Sequence, residues 1–370
     1  MMKIIALATL CAYVAAATVY VGTWAESIYV LDFDESSGSI NLRSQLNVGH
    51  WPSYVVLDPN GKTLYTVNED ETFRGQPKTG GLLSYSISED GKSLTPINAF
   101  VSNGTAPCFL DVSRDSNHLL VANYGGSTFV TAKLRDGKIV NVTQVIKNTG
   151  RGPNPDRQEA PHPHQLTFDP TNRFAYGCDL GLDRVFFFTF DHSNNKLVPN
   201  VNQAYLSTAP GSGPRHIAFH PRLPIVYLTH ELDSTVSTLK FDQKKGIFSS
   251  PVQTLSMLPS GVDPKSCSGA EVRVSPDGLF VYTSNRGVSN TITVYKVNQN
   301  DGSLSLVGFQ EAAGEFPRFF LIDETGRWLI VSNQNSDNVI VFRRDSVTGM
   351  LSKVSSVEGI KKPTALALKL

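Results

Sequence analysis

Eight side chains spread through this sequence are of the types that hold anions and move protons: His162, His164, Arg215, His216, His230, Glu231, Arg286 and Arg318. A guanidinium group grips a carboxylate or phosphate through parallel hydrogen bonds. Histidine and glutamate are the usual groups for transferring a proton or activating a water. Together, three guanidinium groups, one carboxylate and several imidazoles suit a small anionic substrate. They stand far apart in the chain, so the elements that carry them decide whether they form a site.

Those elements repeat. The stretch GPRHIAFHPRLPIVYLTHEL, residues 213–232, is the most polar copy of a unit that recurs around the whole chain, at a period of roughly 50 residues. The anchors Pro52, Pro107, Pro163, Pro214, Gly269 and Pro317 are followed at a fixed offset by the turn residues Asp58, Ser113, Asp169, His220, Ser275 and Asp323. At a second fixed offset come Asn68, Asn123, Asp179, His230, Asn285 and Asn333. Between anchor and turn the apolar residues alternate, as in Leu110/Val112, Leu166/Phe168 and Ile217/Phe219, which is the period of a strand. A second apolar run follows each turn (LYTVN, FAYGCD, IVYLTH, FVYTSN), so every unit contains a hairpin. All-strand units of this length are propeller blades. A seventh copy is split between the ends of the chain. Pro363 opens PTALALKL, and the run from Tyr20 to Thr23 supplies its partner. Pairing the last strand with the first closes the ring and removes exposed sheet edges. The expected fold is therefore all-β: one seven-bladed β-propeller over residues 18–370.

In a propeller, equivalent positions form rings about the axis. The position after each anchor holds Ser53, Cys108, His164, Arg215, Ala270, Arg318 and Thr364. The position after each second-strand polar residue holds Glu69, Tyr124, Leu180, Glu231, Arg286 and Gln334. These residues differ from blade to blade while the Pro, Asp and Tyr scaffold repeats, so the ring predicts convergence at the channel mouth. Plainer roles compete for some of them. His220 stands at a turn position, Arg318 and Glu69 could form ordinary surface pairs, and the strand-end Asn and Asp ring reads as side chains that bond backbone.

Two long polar segments, residues 68–81 and 148–164, and a third over 258–269 read as loops of functional length. The formal net charge is +0 and there is no basic stripe, which excludes the electrostatic footprint of a nucleic-acid binder. Met1-Met2-Lys3, the apolar stretch Ile4 to Val14 and Ala15-Ala16-Ala17 read as a secretory signal over residues 1–17, too short for a membrane anchor. The competing reading is a first strand with an apolar extension, in a cytoplasmic protein. Sequons at Asn103 and Asn141, both expected in inter-strand loops, accord with export and a glycoprotein. Without the signal, Cys108, Cys178 and Cys267 remain, an odd number that excludes a complete disulfide framework. Cys/His zinc spacing is absent, and no cofactor is expected.

HPHQLTFDP with CDLGLDRV, GPRHIAFHP with YLTHELDSTV, EVRVSPDGLFVYTSNRG and FPRFFLIDETGRWLIVSNQNSDNVIVF resemble, in order, the lactonase seven-bladed propeller family. That family includes bacterial-type 6-phosphogluconolactonases and fungal carboxy-muconate lactonizing enzymes. The resemblance implies a metal-independent axial site that opens or closes a lactone ring on an anionic substrate. Carried over by motif, His164, Arg215, Glu231 and Arg286 are the expected catalytic residues, with His162, His216 and Arg318 as expected substrate contacts. Arg215 and Arg286 would hold the substrate anion, and His164 or Glu231 would move the proton. The alternatives are a muconate cycloisomerase using the same groups, a calcium site of strand-end oxygens, and a secreted binding propeller without catalysis. An exported chain departs from the family's intracellular sugar-phosphate lactone and puts that substrate in doubt.

Overall fold

The computed structural model describes residues 17–370, and the rest of the expected signal lies outside them. Alternation has its predicted effect: seven four-stranded antiparallel sheets stand around one axis, two of them with a short fifth strand. The inner strands are Val55–Leu57, Pro107–Val112, Pro163–Phe168, Pro214–Phe219, Cys267–Val274, Pro317–Ile322 and Pro363–Lys369. The seventh sheet closes the ring as expected. Strand Pro363–Lys369 pairs with Ala17–Thr23, in the register Val19↔Leu368 and Val21↔Leu366.

The repeated turn residues close the inner hairpins. Asp58, Asp169 and Asp323 accept backbone N–H groups through their carboxylates, and Ser113 and Ser275 do so through their hydroxyls. His220 does the same through Nδ1, accepting from the amides of Arg222 and Leu223, which explains a histidine at a turn position. Blades are tied to their neighbours by tyrosines. Tyr20, Tyr227 and Tyr282 each donate to the carbonyl of an outer-hairpin glycine in the following blade, Gly91, Gly302 and Gly349. Each of those glycines has positive φ, where a side chain would be strained.

Of the three long segments, residues 68–81 fold partly into a small hairpin, Thr72–Phe73 with Gln76–Pro77. Asn141, expected in a loop, lies instead in the outermost strand Lys138–Lys147, with its side chain exposed. An outer strand exposes one face, and period-two alternation alone does not separate it from polar loop. Among the described residues no helix is long and apolar enough to cross a membrane.

The segment 148–162 is held by a tight approach at Gly181, in the short 3-10 turn Leu180–Leu182. A Cβ there would overlap the Ala160 carbonyl oxygen. Gly181→Ala is expected to cost about 1–3 kcal/mol of stability, as overpacking does, read as a lower denaturant midpoint. An unchanged midpoint would show that the segment shifts freely.

Candidate active site

Bulges aim the ring residues at the axis. Pairing between the first two strands skips one residue in each of the blades that begin at Pro107, Pro163, Pro214 and Pro317. The skipped residues are Cys108, His164, Arg215 and Arg318. Thr364 is skipped in the same way in the closing blade. A bulge leaves one residue unpaired and re-aims its side chain. Five of the seven positions in the ring inferred from spacing are thus single skipped residues, while Ser53 lies just ahead of the first paired residue of its strand, Val55.

Cys108, His164 and Arg318 line a cavity of about 320 Å³ on the axis, with Trp24, Trp51, Glu69, Asp70, Glu71, Ala106, Tyr124, Arg157, Glu231 and Arg286; Thr364 and Arg215, which was expected to hold the substrate anion, lie outside its lining. Beneath it is a narrow chamber where Ser53, Cys108, His164, Arg215, His216, Arg318 and Thr364 come together. A larger cavity of about 550 Å³ lies at the opposite end of the inner strands, where apolar side chains mix with Asp111, Glu271, Arg273, Asp323 and Glu324.

Glu231 organises the charges. Its Oε2 accepts from Arg215 Nε at 3.0 Å and pairs with Arg286 Nη2 at 3.0 Å, and its Oε1 accepts from Arg157 Nη2 at 2.6 Å. Burial alone would raise its pKa, but Arg286, Arg215 and Arg157 hold the carboxyl well below the usual carboxylate range. Burial pushes Arg286 down to about 9 even with this partner. Arg286 also donates to the Gly269 carbonyl and lies over the Phe316 ring. Arg318 forms no ion pair among the described residues. It lies over the Trp24 ring, 4.6 Å from the centroid.

His164 is 5 % exposed. Burial, then the charge of Arg215, holds its pKa well below that of an ordinary histidine, so the ring is neutral near pH 7. Glu69 is driven the other way. Burial raises its pKa, opposed by Arg318 and by hydrogen bonds from Ser53 Oγ and Trp24 Nε1. Burial thus favours the neutral form of both side chains, an imidazole and a carboxyl that face the same cavity.

His162 and His216, expected among the substrate contacts, do not line the main cavity. His162 stacks on Tyr124 and pairs with Glu159. His216 lies below His164, against Glu271. His230 turns into its own sheet, bonded to Ser237. The strand-end amides serve backbone: Asn68, Asn123, Asn285 and Asn333 donate to the carbonyls of His50, Ser102, Met257 and Ala312.

Spacing did not single out Arg157, Trp24 or Trp51. Arg157 enters from the segment 148–162, outside the repeat register. Trp24 and Trp51 stack on each other, ring centroids 5.8 Å apart, and Trp51 is 41 % exposed. An exposed Trp in an otherwise polar stretch was the available signal.

The fold and site together define a seven-bladed propeller with a charged, arginine-clamped pocket on its axis. The family model described as Lactonase, 7-bladed beta-propeller, matches residues 18–368, and the chain belongs to that family. Similar proteins include a 6-phosphogluconolactonase of Bacillus subtilis, 32% identical over 94% of this chain and 97% of the relative. Another, from Formosa agariphila, is 31% identical over 88% of this chain and 91% of its own length. Among solved structures, the periplasmic gluconolactonase of Pseudomonas aeruginosa superposes with a TM-score of 0.85 at 30% identity, covering 96% of this chain and 99% of the other.

Proposed function

We infer that the chain is a lactonase resembling 6-phosphogluconolactonase, hydrolysing a sugar-acid lactone in the axial cavity. The observation that carries the reading is a neutral, buried His164 beside guanidinium groups fixed by one carboxylate. His164 takes a proton from water, and the resulting hydroxide adds to the ring carbonyl. Arg286 and Arg318 stabilise the oxyanion, as pre-oriented donors do. The tetrahedral intermediate collapses with cleavage of the ring C–O bond. Glu69 gives its proton to the departing ring oxygen and regains one from the new carboxyl group, and His164 releases its proton to solvent, leaving an open-chain hydroxy acid whose carboxylate faces Arg318. Glu231, occupied by three guanidinium groups, acts as the anchor that holds them. No step requires a metal.

Charge narrows the substrate. With Glu69 protonated, the cavity lining still sets Asp70, Glu71 and Glu231 against Arg157, Arg286 and Arg318, so there is no excess of positive charge for a phosphate. The stacked Trp24 and Trp51 offer an apolar face for a sugar ring. These features favour an aldonolactone without a phosphate, whose anionic form is the product. The two substrate names borne by the relatives, phosphogluconolactone and gluconolactone, are the two arms to compare.

The test follows proton release in a pH-stat with glucono-δ-lactone, its 6-phosphate and a muconate, each with and without EDTA. Chelator-insensitive hydrolysis, faster on the unphosphorylated lactone, is the expected result. Preference for the phosphate would restore the strongly anionic substrate. Turnover of the muconate alone would make the protein a cycloisomerase.

Export completes the reading. The apolar N-terminal pattern over residues 1–17 and the exposed Asn103 and Asn141 side chains support a secreted glycoprotein. Full-length protein expressed in a secreting eukaryotic host is expected in the medium, with mobility that shifts on treatment with N-glycosidase. Unglycosylated protein retained in the cytosol would overturn it.

A further inference from the structure

We propose that His216 and Glu271 are positioning residues, forming with His164 a buried axial relay that keeps the lone pair of His164 Nε2 directed at the cavity. The proposal rests on the lactonase reading of that cavity. Glu271 Oε2 lies 3.0 Å from His216 Nδ1. A carboxylate at that distance requires a proton on the nitrogen, so His216 donates through Nδ1 and its Nε2 is bare. His164 Nδ1 lies 3.2 Å from that bare Nε2 and donates to it. The proton of His164 is thereby placed on Nδ1, and Nε2 is left as the free base. Its distance to Glu231 Oε2, 4.0 Å, is too long for a hydrogen bond that would occupy it.

Arg215 Nη1 also lies 3.5 Å from His216 Nδ1. Accepting from it would set a bare nitrogen against the Glu271 carboxylate, and Nη1 already donates to the Ala270 carbonyl at 2.7 Å. Glu271 therefore decides the tautomer. Its own position is fixed by the Val272 amide and Arg273 Nε, both 3.2 Å from Oε1. His164, His216 and Glu271 are 5 %, 2 % and 2 % exposed. The charged groups that act on His164, namely Arg215, Arg286, Arg318 and Glu231, include three cations that oppose its protonation. Tyr124 and Cys108 complete its surroundings, and Arg215 and Arg273 act on His216. Glu271, one imidazole away, is the counter-charge for the imidazolium that forms when His164 takes a proton from water. A carboxylate that orients an imidazole and supports its charge is the logic of hydrolase triads, here extended by one ring.

The test pairs nitrogen-15 NMR of histidine-labelled protein with kinetics of Glu271→Gln. Both His164 and His216 are expected to carry their proton on Nδ1. The variant is expected to lose on the order of 10²-fold or more in kcat, with KM little changed. A proton on His164 Nε2, or kcat within threefold of wild type, would overturn the relay. If wild-type protein hydrolyses no lactone, the functional reading fails while the NMR result still tests the relay. The wild-type spectrum also decides the matter if the variant does not fold.

A second inference rests on a different place, the outer rim between the blades that begin at Pro107 and Pro163. Asp115, His118 and His192 each present a ligand atom there, all within 4.8 Å of one another. Every one of them is oriented from outside the trio. His118 Nδ1 is held by Asn195 Oδ1 at 3.0 Å, His192 Nε2 by the Asn172 carbonyl at 2.8 Å, and Asp115 Oδ1 by Ser113 and the Asn117 amide. That leaves His118 Nε2, His192 Nδ1 and Asp115 Oδ2 free. His118 is only 6 % exposed, and its Nε2 stands 3.8 Å from Asp115 Oδ2 with no hydrogen-bond partner. Outer partners that fix histidine tautomers are the mark of metal ligands. The geometry points to a zinc-class divalent cation that staples the two blades, with the exposed Asp115 and His192 closing on it by roughly 1 Å to reach ligand distances. Titration of metal-free protein with zinc chloride by calorimetry is expected to show one site that His192→Ala abolishes, with a rise in melting temperature in wild type only. No binding by wild type, or undiminished binding by the variant, would overturn it.

Discussion

His164→Asn is expected to lower kcat by about 10²- to 10⁴-fold, the usual worth of a positioned general base, while KM changes little. Asparagine keeps a polar group of similar reach but cannot accept and hold a proton from water. In the proposed reading ground-state binding rests on the Trp24 and Trp51 faces and the Arg318 guanidinium, which line the cavity and which the variant leaves in place. The pH profile gives the sharper check. Burial and Arg215 depress the pKa of His164 below 6.5, so kcat/KM should rise through an acid limb below that pH as the base loses its proton. Burial raises Glu69 above its ordinary 4.5, so activity should fall again as pH climbs through its displaced value and the acid is lost. In His164→Asn the acid limb should disappear and the alkaline limb remain. Turnover near that of wild type, or an unaltered acid limb, would remove His164 from the chemistry.

That His164 could be singled out at all reflects how a propeller converts sequence offsets into geometry. Alternation fixed which residues face between sheets, and seven repeats of the anchor placed Cys108, His164, Arg215, Arg318 and Thr364 at one level. The bulge at that level was not visible, because nothing in the spacing distinguishes a paired residue from a skipped one. This is why His216 was expected beside the substrate. With Arg215 skipped, its neighbour re-enters the register opposite Thr229 and faces the axis one layer down, toward Glu271. Arg157 was illegible for a different reason. It arrives on one of the three long segments that follow no repeat, and its role depends on where Gly181 lets that segment pack. The trio of Asp115, His118 and His192 escaped because its members come from two blades, at separations that match no metal-binding pattern. Asn141 shows the converse failure, an outer strand polar enough to read as a loop.

Glu231→Gln is expected to be the most damaging single change, abolishing turnover and costing about 3–5 kcal/mol of stability, the penalty for removing one partner of a buried ion pair. The carboxylate is 5 % exposed and is the shared counter-charge of Arg157, Arg215 and Arg286. Glutamine keeps the shape but sets an amide N–H₂ against a guanidinium group, and the Arg215 and Arg286 charges stay buried with nothing to offset them. The linkage has a definite sign. The folded pKa of Glu231 lies well below the 4.5 of an unfolded glutamate. Between those two values the unfolded chain binds more protons, so stability rises with pH there. The contribution is therefore complete above the unfolded value and is lost as pH falls through the folded one. Denaturant midpoints of wild type and Glu231→Gln should differ most at pH 7 and draw together in strong acid, where both carry a neutral group at this position. A difference of the same size at pH 7 and in strong acid would mean that packing, rather than charge, makes Glu231 indispensable. A variant as stable as wild type at pH 7 would mean that the three arginines hold their places without it, and the clamp on which the oxyanion site depends would have to be assigned to other contacts.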